Sequence, residues 1–340
     1  FTTHPVSTTI TFGSLSDDRR ERYVAAFRRK IQEEVALFKP DIVHAHHGWV
    51  IGAALAELNV PYVISLHGTE HYGFTHYPAY RELALTGLRK ADRVLALTEL
   101  ERAKALETYG LDPDRVRVIT SGVDTAFFAP WSVDRRQALS RYGNVDPDRP
   151  CVFAASKLTA IKGTDVVVRA AALYSKLPER PLTLIAGAGD ARPQLEALCA
   201  ELQLRDDVLF IGQQSAAQMV ELYNLAEVTV LASRLDWFPL VVLESLACGT
   251  PVLASEVGGL SQLVPSNVGR LFSAGDYATI AAHVTDTNRS NFKATAQAAC
   301  VAHVCKKFSW DRTVDRIIAV YQDVLRENDS ALEGYLLTDQ

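Results

Sequence analysis

The chain has 340 residues, of which 48% are hydrophobic and 22% charged, with a formal net charge of -5. This composition is typical of a globular enzyme, and the length favours two domains over a single hydrophobic core. The small net charge excludes a broad basic surface of the kind that binds nucleic acid. No apolar run reaches the roughly 18 residues that a membrane-spanning helix needs, although a reversible contact with a membrane surface remains open.

Five cysteines are scattered through the sequence without C-x-x-C pairing. Their odd number and their spacing argue against a disulfide framework and against structural zinc, and they predict a protein of the reducing cytoplasm. Cys248 falls in an apolar helical run, so we expect a small core residue there.

Short apolar runs alternate with amphipathic helical patterns along the whole chain. Because most of these runs are continuously apolar, they are typical of parallel strands buried on both faces. One amphipathic helix follows Asp17 and Asp18 and should end at Lys39, because the residue before a proline disfavours the helical region. The predicted strands are 41–45, 62–67, 93–98, 116–120, 152–155, 182–186, 208–211, 228–232 and 252–255.

The alternation breaks once, over residues 129–150, where Pro, Asp, Arg and Gly displace the apolar runs. This segment is the predicted linker between two α/β lobes, residues 1–130 and 131–308. Each lobe should be a Rossmann-like, doubly wound parallel sheet. Such an arrangement predicts a ligand in the cleft between the lobes, at the carboxyl ends of the strands.

Two acids lie in the apolar stretch that begins at Asp236. Asp236 precedes a helix whose first turn Pro239 is expected to occupy, and Glu244 lies inside that helix. Because a buried carboxylate is costly unless it is paired, each acid should have a hydrogen-bonded partner. For Glu244 alone, a backbone amide or an arginine is as good a candidate as a ligand. The adjacent helix N-terminus also suits a phosphate.

Two lysines follow the first predicted strand of the second lobe, Lys157 and Lys162, and the second of them precedes Gly163. At the mouth of the cleft they could neutralise phosphate oxygens, although each taken alone is better explained as part of a solvated turn. Glycines within 187–189 and 258–259 follow two other strands and would let the backbone approach a ligand, which by itself is weak evidence.

Together these segments resemble the retaining glycosyltransferases of family 4, which have the GT-B fold. The family signature is an acid, seven residues and a glutamate, followed by an Ala-Cys-Gly-Thr-Pro turn and a Gly-Gly loop. In this sequence it corresponds to Asp236, Glu244 and residues 247–251 and 258–259.

Other segments extend the resemblance over nearly the whole chain. Lys157 and Lys162-Gly163 correspond to the family's Arg-x-x-x-x-Lys-Gly phosphate motif. Residues 41–46, 65–70 and 121–124 look like its strand ends and interlobe turn. Residues 308–310 look like the point where a last helix, 309–330, crosses back to the first lobe.

The resemblance implies a role for each motif. Glu244 would bind the ribose hydroxyls, and Asp236 with the backbone of 237–240 would hold the donor sugar. Lys157 and Lys162 would neutralise the departing diphosphate, where negative charge develops. The implied catalytic residues are His67, on the reacting face, with Lys157, Lys162 and Asp236. The implied nucleotide-sugar-binding residues are Gly212 and Gln213, beside the base, with Trp237, Phe238, Pro239, Leu240 and Glu244.

The sequence departs from the family pattern at four positions. Asp236 stands where glutamate is usual, which leaves the donor sugar open. Lys157 replaces arginine, so bidentate phosphate binding is lost. Ser121 stands in place of asparagine, and Gln262 in place of an acid.

Two further patterns could suggest metal binding. Asp-Pro-Asp triplets at 112–114 and 146–148 superficially match the D-x-D motif of another glycosyltransferase class, but their turn-like surroundings favour capping. His44, His46 and His47 cluster near a strand end without a carboxylate pattern to complete a site. The sequence therefore predicts no metal and no cofactor, with the nucleotide sugar as a co-substrate.

The predicted function is transfer of a hexose-type sugar, first of all from a UDP-sugar, to an unidentified acceptor with retention at the anomeric carbon. The acceptor could be a sugar, a lipid-linked glycan or a small molecule. Two alternatives stay open: an epimerase of the same fold and a weakly active sugar-nucleotide-binding protein. Since the family's opening strand, glycine-rich loop and helix are not found after Phe1, we also expect an upstream segment or a separate chain to supply them.

Overall fold

The computed structural model describes residues 12–338, with side chains for 13–330. The chain forms two compact units: the first runs up to Thr120 and resumes at Thr313, and the second spans Ser121–Arg312. The compact unit that contains the predicted second lobe thus begins at Ser121, ten residues before the predicted boundary, and within it Val123 pairs in parallel with Ser309. The residues after Phe1 that prompted the expectation of a missing segment, 1–6, lie outside the described range.

The first unit is built on a parallel sheet of four described strands in the order β1-β2-β3-β4. The sequential order follows from helical connections that return each strand beside the one before it. The strands are β1 (Val43–His46), β2 (Tyr62–Ser65), β3 (Arg93–Ala96) and β4 (Val116–Val118), and the helices are α1 (Asp17–Phe38), α2 (Val50–Leu55), α3 (Thr69–His76), α4 (Arg81–Lys90) and α5 (Glu99–Tyr109).

Helix α1 has the limits that its sequence predicts. It begins at Asp17 and ends before Lys39, which adopts a left-handed conformation and donates its backbone N–H to Val35. The proline at position 40 cannot continue the helix, so the chain turns there into β1.

The second unit, which is described throughout, contains a six-stranded parallel sheet in the order β10-β9-β8-β5-β6-β7. The strands are β5 (Cys151–Ala155), β6 (Leu182–Ala186), β7 (Val208–Gly212), β8 (Val228–Leu231), β9 (Val252–Ser255) and β10 (Gly269–Phe272). The helices are α6 (Arg135–Ser140), α7 (Thr164–Tyr174), α8 (Arg192–Glu201), α9 (Ala216–Leu225), α10 (Leu240–Ala247), α11 (Leu260–Leu263), α12 (Tyr277–Ser290), α13 (Phe292–Lys307) and α14 (Trp310–Thr338), the last of which continues into the first unit.

Two stretches of the second unit differ from the sequence-based prediction. The predicted linker contains helix α6, whose N-terminus is capped by the Asp134 side chain accepting from the Gln137 N–H at 3.1 Å. Strand β10 was not predicted, because it is an edge strand of four residues in which Arg270 interrupts the apolar run. The nine predicted strands are all present, and the prediction of a doubly wound α/β fold is confirmed.

Both sheets are covered by helices on their two faces. In the second unit, Val166 of α7 and Ile280 of α12 belong to one core cluster, while Phe153 and Tyr223 pack on the opposite face. In the first unit, Val320 of α14 packs against the sheet. Cys248 is completely buried, as expected, and all five cysteines are free. Among the described residues, no helix combines the length and the apolarity that a bilayer crossing requires.

Candidate active site

The strand order of the second sheet reverses between β5 and β8. From β5 the chain proceeds outward through β6 and β7, then returns to place β8 on the other side of β5, where Val152 pairs with Val228. The loops that leave two such strands diverge to opposite sides, which opens a crevice at their carboxyl ends. The loop after β5 carries Lys157 and Lys162, and the turn after β8 carries Asp236.

Lys162 and Asp236, which lie 74 positions apart, are brought together in this crevice. The Lys162 ammonium donates to Asp236 Oδ2 at 2.6 Å, and Ser233 Oγ donates to the same oxygen at 3.1 Å. The pair keeps part of its solvent contact, with 27% of the Lys162 side chain and 11% of the Asp236 side chain exposed. Lys157 follows β5 directly and is half-buried. The structure thus brings Lys162 and Asp236 into contact, and the roles assigned to all three residues remain predictions.

Glycines hold the loops of the crevice against one another. A Cβ atom on Gly163 would lie 1.9 Å from the carbonyl oxygen of Ala232, and one on Gly258 would lie 1.7 Å from the carbonyl oxygen of Asp236. Both glycines also have positive φ angles, +64° and +56°. Each of these glycines therefore lets two loops of the crevice approach closely, and at Gly258 the close neighbour is the backbone of the adjacent loop.

The two glycines after β6 have the same function. A Cβ on Gly187 would lie 1.9 Å from the Ser156 carbonyl oxygen, and one on Gly189 would lie 2.1 Å from that of Leu158. The loop that carries Lys157 is thus packed tightly on both sides. These contacts fix the backbone on both sides of Lys157.

Glu244 lies on α10, which begins one residue later than the sequence suggested. Pro239 is the residue before the first helical turn, since its ψ of 116° is extended although its φ of -75° would suit a helix. The partner of Glu244 is the buried hydroxyl of Tyr223, which donates to Oε2 at 2.7 Å, and not the amide or arginine considered above. Burial raises the pKa of Glu244, and the Tyr223 hydrogen bond lowers it in part.

The other residues predicted to bind the nucleotide sugar differ in their exposure and position. Phe238 is 8% exposed and its ring lies 6.1 Å from that of Phe308, so its side chain is part of the core. Leu240 is 42% exposed. Gly212 ends β7 with a positive φ, and Gln213 after it is exposed. Since β6 lies between β7 and β5, a ligand contacting Gly212 must extend across the edge of the sheet.

His67 lies in the first unit at the carboxyl end of β2, within a cluster of histidines. Its Nε2 is 2.9 Å from Nδ1 of His46, and its backbone N–H donates to Glu70 Oε2 at 3.0 Å. Glu70 is 2% exposed and pairs with His47 at 2.8 Å. Burial and then the charge of His47 lower the pKa of His67, which favours the neutral ring. His44 instead contacts Ser65 and Tyr321.

Behind this turn lies a buried acid that the sequence did not single out. Glu101 is fully buried and accepts from the Leu97 N–H at 2.6 Å. Burial raises its pKa to about 7, whereas burial lowers the pKa of the neighbouring His71 to about 4. Both side chains are therefore neutral over part of the physiological range. The only sequence signal was an acid three residues after the capping Thr98, which is typical of a helix N-terminus.

The Asp-Pro-Asp triplets and the histidine cluster were the two sequence patterns that could suggest metal binding. Among the described residues, no group of three or more His, Cys, Asp or Glu side chains is arranged to hold a metal ion. Asp112 instead accepts from the backbone N–H of Asp114 at 2.9 Å, and Asp146 from that of Asp148 at 3.0 Å. The interpretation of both triplets as turn caps is confirmed.

A groove of about 990 Å³ lies beside α7 and α8 in the second unit. It is lined in part by Ala160, Asp165 and Arg234, but by neither Lys162 nor Glu244. We place the candidate site at the carboxyl ends of β5 and β8 because the charged groups converge there.

The fold with its crevice is that of a GT-B glycosyltransferase. Sucrose-phosphate synthase from Thermosynechococcus elongatus superposes with a TM-score of 0.77 at 23% identity, covering 92% of this chain and 81% of that protein. Anabaena HepE, solved in complex with UDP and glucose, gives a TM-score of 0.77 at 21% identity and covers 92% and 84%. At these identities the likeness concerns the fold alone.

Sequence comparison gives the family. Residues 136–299 match the family model "Glycosyl transferases group 1", and residues 5–127 match "Glycosyltransferase Family 4". The D-inositol 3-phosphate glycosyltransferase of Acidothermus cellulolyticus is 32% identical over 93% of this chain and 75% of its own length; that of Thermomonospora curvata is 35% identical over 83% and 71%. The chain belongs to the group 1 glycosyltransferases of family 4, and the prediction of a transferase enzyme is confirmed.

Proposed function

We propose that the chain transfers a hexose-type sugar from a UDP-sugar to a hydroxyl group of its acceptor, with retention at the anomeric carbon. The observation that carries the proposal is the contact of Lys162 with Asp236 at the carboxyl ends of β5 and β8, on the loop that also carries Lys157, with Glu244 on the helix that follows. The lysines suit a diphosphate, and a carboxylate such as Glu244 suits ribose hydroxyls. UDP is favoured as the nucleotide because HepE, which shares the fold, was solved with it.

The chemistry proposed for this site needs charge stabilisation on the leaving group. As the bond between sugar and diphosphate breaks, negative charge develops on the phosphate oxygens, where two fixed ammonium groups are most effective. In the proposed mechanism the acceptor attacks on the face that the diphosphate leaves, and a phosphate oxygen takes the acceptor's proton. We propose that no metal or further cofactor takes part, and that His67 contacts the donor.

The names of the relatives suggest which acceptor to test first. The two proteins compared above are D-inositol 3-phosphate glycosyltransferases, so we propose a small phosphorylated polyol as the first acceptor class. Sugars and lipid-linked glycans form the second set. The free cysteines are compatible with a reducing compartment, and we propose the cytoplasm.

The test is calorimetry with UDP, GDP and ADP, followed by product analysis with UDP-sugars in the presence and absence of acceptors. We expect UDP to bind most tightly and a glycoside with the donor's anomeric configuration to form only with an acceptor. Conversion of the donor sugar without any acceptor would instead indicate an epimerase. Tight UDP binding without turnover of any donor would indicate a binding protein.

A further inference from the structure

Arg234 connects the two loops of the crevice. It lies on the turn after β8, two residues before Asp236, and its guanidinium group donates to both carboxylate oxygens of Asp165, at 2.8 and 2.7 Å. The same group donates to the carbonyl oxygen of Ala160 at 2.6 Å. In addition, the backbone N–H of Arg234 donates to the carbonyl oxygen of Ile161 at 2.8 Å. Four hydrogen bonds thus hold residues 160–165 to this turn.

Lys162 lies within the segment that Arg234 holds. Ala160 and Ile161 immediately precede it, and Asp165 follows it in the first turn of α7. Gly163, next to Lys162, packs against the carbonyl group of Ala232 at the base of the same turn. The backbone of Lys162 is therefore fixed on both sides relative to the turn that carries its partner, Asp236.

We infer that Arg234, paired with Asp165, is a positioning residue that holds Lys162 in register with Asp236 for binding the donor diphosphate. The inference rests on the proposed function, in which Lys162 contacts that diphosphate. Lysine has a long, flexible side chain, so the place its ammonium group can reach depends on a fixed backbone. A displacement of about 1 Å at a charge-stabilising group can lower the rate about 100-fold.

The exposure of the pair limits its contribution to stability, and its bidentate geometry makes it chiefly a device that fixes the two loops relative to each other. Side-chain exposure is 43% for Arg234 and 36% for Asp165, and ion pairs at such exposure contribute little to the free energy of unfolding. Removal of Arg234 should therefore leave a folded protein whose Lys162 is misplaced. This makes the inference testable by its dependence on Lys162.

The experiment is a double-mutant cycle that combines Arg234→Ala with Lys162→Ala, with UDP affinity measured by calorimetry and turnover measured as kcat and KM. We expect Arg234→Ala to weaken UDP binding about tenfold in the wild-type background and less than about twofold in the Lys162→Ala background. A merely structural role would give equal losses in both backgrounds, and that result would overturn the inference. Unchanged UDP affinity in the Arg234→Ala single variant would overturn it too.

Matched controls separate positioning from folding. Arg180 also bonds to both carboxylate oxygens of an aspartate, Asp207. It precedes β6 and lies away from the carboxyl ends of the strands, so Arg180→Ala should leave UDP affinity unchanged. If Arg234→Ala proves unstable, Asp165→Asn keeps the side-chain shape and is expected to show the same dependence on Lys162. Exchange of the partners, Arg234→Asp with Asp165→Arg, should recover part of the affinity.

The cycle also distinguishes the inference from the proposed function. If Lys162→Ala leaves UDP affinity unchanged, or if the wild type does not bind UDP, the proposed function fails and the inference fails with it. If Lys162→Ala weakens binding while Arg234→Ala does not, the proposed function stands and only the inference fails.

Discussion

In the first unit, the carboxylates behind the end of β2 are almost completely buried: Glu70 is 2% exposed and Glu101 0%. In the second unit, the charged pair in the crevice retains partial exposure, 27% for Lys162 and 11% for Asp236. The buried acids accept hydrogen bonds from backbone N–H groups and so fix the turns of their own unit. The partly exposed pair is fixed indirectly, through glycine packing and the Arg234 contacts. Substitutions should therefore affect pH-dependent stability in the first unit, and ligand binding in the second.

The largest effect is expected at Lys162. Lys162→Ala removes an ammonium group that would stabilise the departing diphosphate, and loss of one such group typically lowers kcat by about 100- to 1,000-fold. Steady-state kinetics with a UDP-sugar donor measure the effect. Lys176→Ala, an exposed lysine just beyond the end of α7, should retain full activity. Transfer that is abolished by EDTA and restored by Mg²⁺ would contradict the assignment of charge neutralisation to the lysines.

Gly163 tests whether the second unit depends on loop packing. A Cβ there would lie 1.9 Å from the Ala232 carbonyl oxygen, so Gly163→Ala must displace a loop. We expect a loss of about 3 kcal/mol in the free energy of unfolding, together with reduced UDP affinity. Gly275→Ala is the control, because Gly275 also has a positive φ, +88°, but has open space around it. Only backbone strain of about 1–2 kcal/mol should remain there, and equal losses at the two glycines would show that packing is unimportant.

In the first unit, Glu101 should make stability depend on pH. Its pKa is about 7 in the folded chain, against a usual 4.5, because it is buried. As the pH rises, the unfolded chain loses this proton near pH 4.5, whereas the folded chain retains it up to about pH 7. The stabilising contribution of Glu101 is therefore complete below pH 4.5 and is lost as the pH rises to 7. The shift corresponds to about 3 kcal/mol.

Chemical denaturation of wild type and Glu101→Gln at pH 5 and pH 8 isolates this contribution. The wild type should lose more stability between the two pH values than the variant does. His71, whose pKa is lowered to about 4, changes stability in the opposite direction but is present in both proteins. If wild type and Glu101→Gln lost the same unfolding free energy between pH 5 and pH 8, Glu101 would already be ionised at pH 5.

Glu244 is the corresponding acid of the second unit, and its effect should appear in binding. Glu244→Gln removes a charged acceptor for the ribose hydroxyls, a change of about 1.5–3 kcal/mol, so UDP affinity should fall while the fold is retained. Because burial raises the pKa of Glu244, affinity in the wild type should also weaken as the pH falls through that raised value. Calorimetry measures both effects, with Glu179→Gln on the surface as control.

The sequence predicted the nine strands because buried strands leave local patterns, whereas the crevice residues stood out only through the combined resemblance to the family. Continuous apolar runs identify buried parallel strands, and the spacing from Asp236 to Glu244 gains its meaning from the family signature that it resembles. Arg234 and Glu101 were missed because their importance depends on which loops are neighbours in space. Asp165 looks like an ordinary acid in the first turn of a helix. Its contact with Arg234 joins positions 69 residues apart, which no local pattern encodes.

The smallest effect is expected at the Asp-Pro-Asp triplets, of which each unit has one. Asp112 and Asp146 each accept a backbone N–H two residues on, at 2.9 and 3.0 Å. Serine can form the same turn, whereas alanine cannot. We therefore expect Asp112→Ala and Asp146→Ala each to cost about 1 kcal/mol of unfolding free energy, and the two serine variants to cost less.

The serine variants also separate capping from metal binding. Serine keeps the cap but removes the carboxylate that a cation would need. Transfer rates should therefore be unchanged in Asp112→Ser and Asp146→Ser, with and without added Mn²⁺. If one of the two serine variants lost activity while keeping its stability, the two triplets would not be equivalent turn caps. That unit's aspartate would then act on the reaction and not only on the turn.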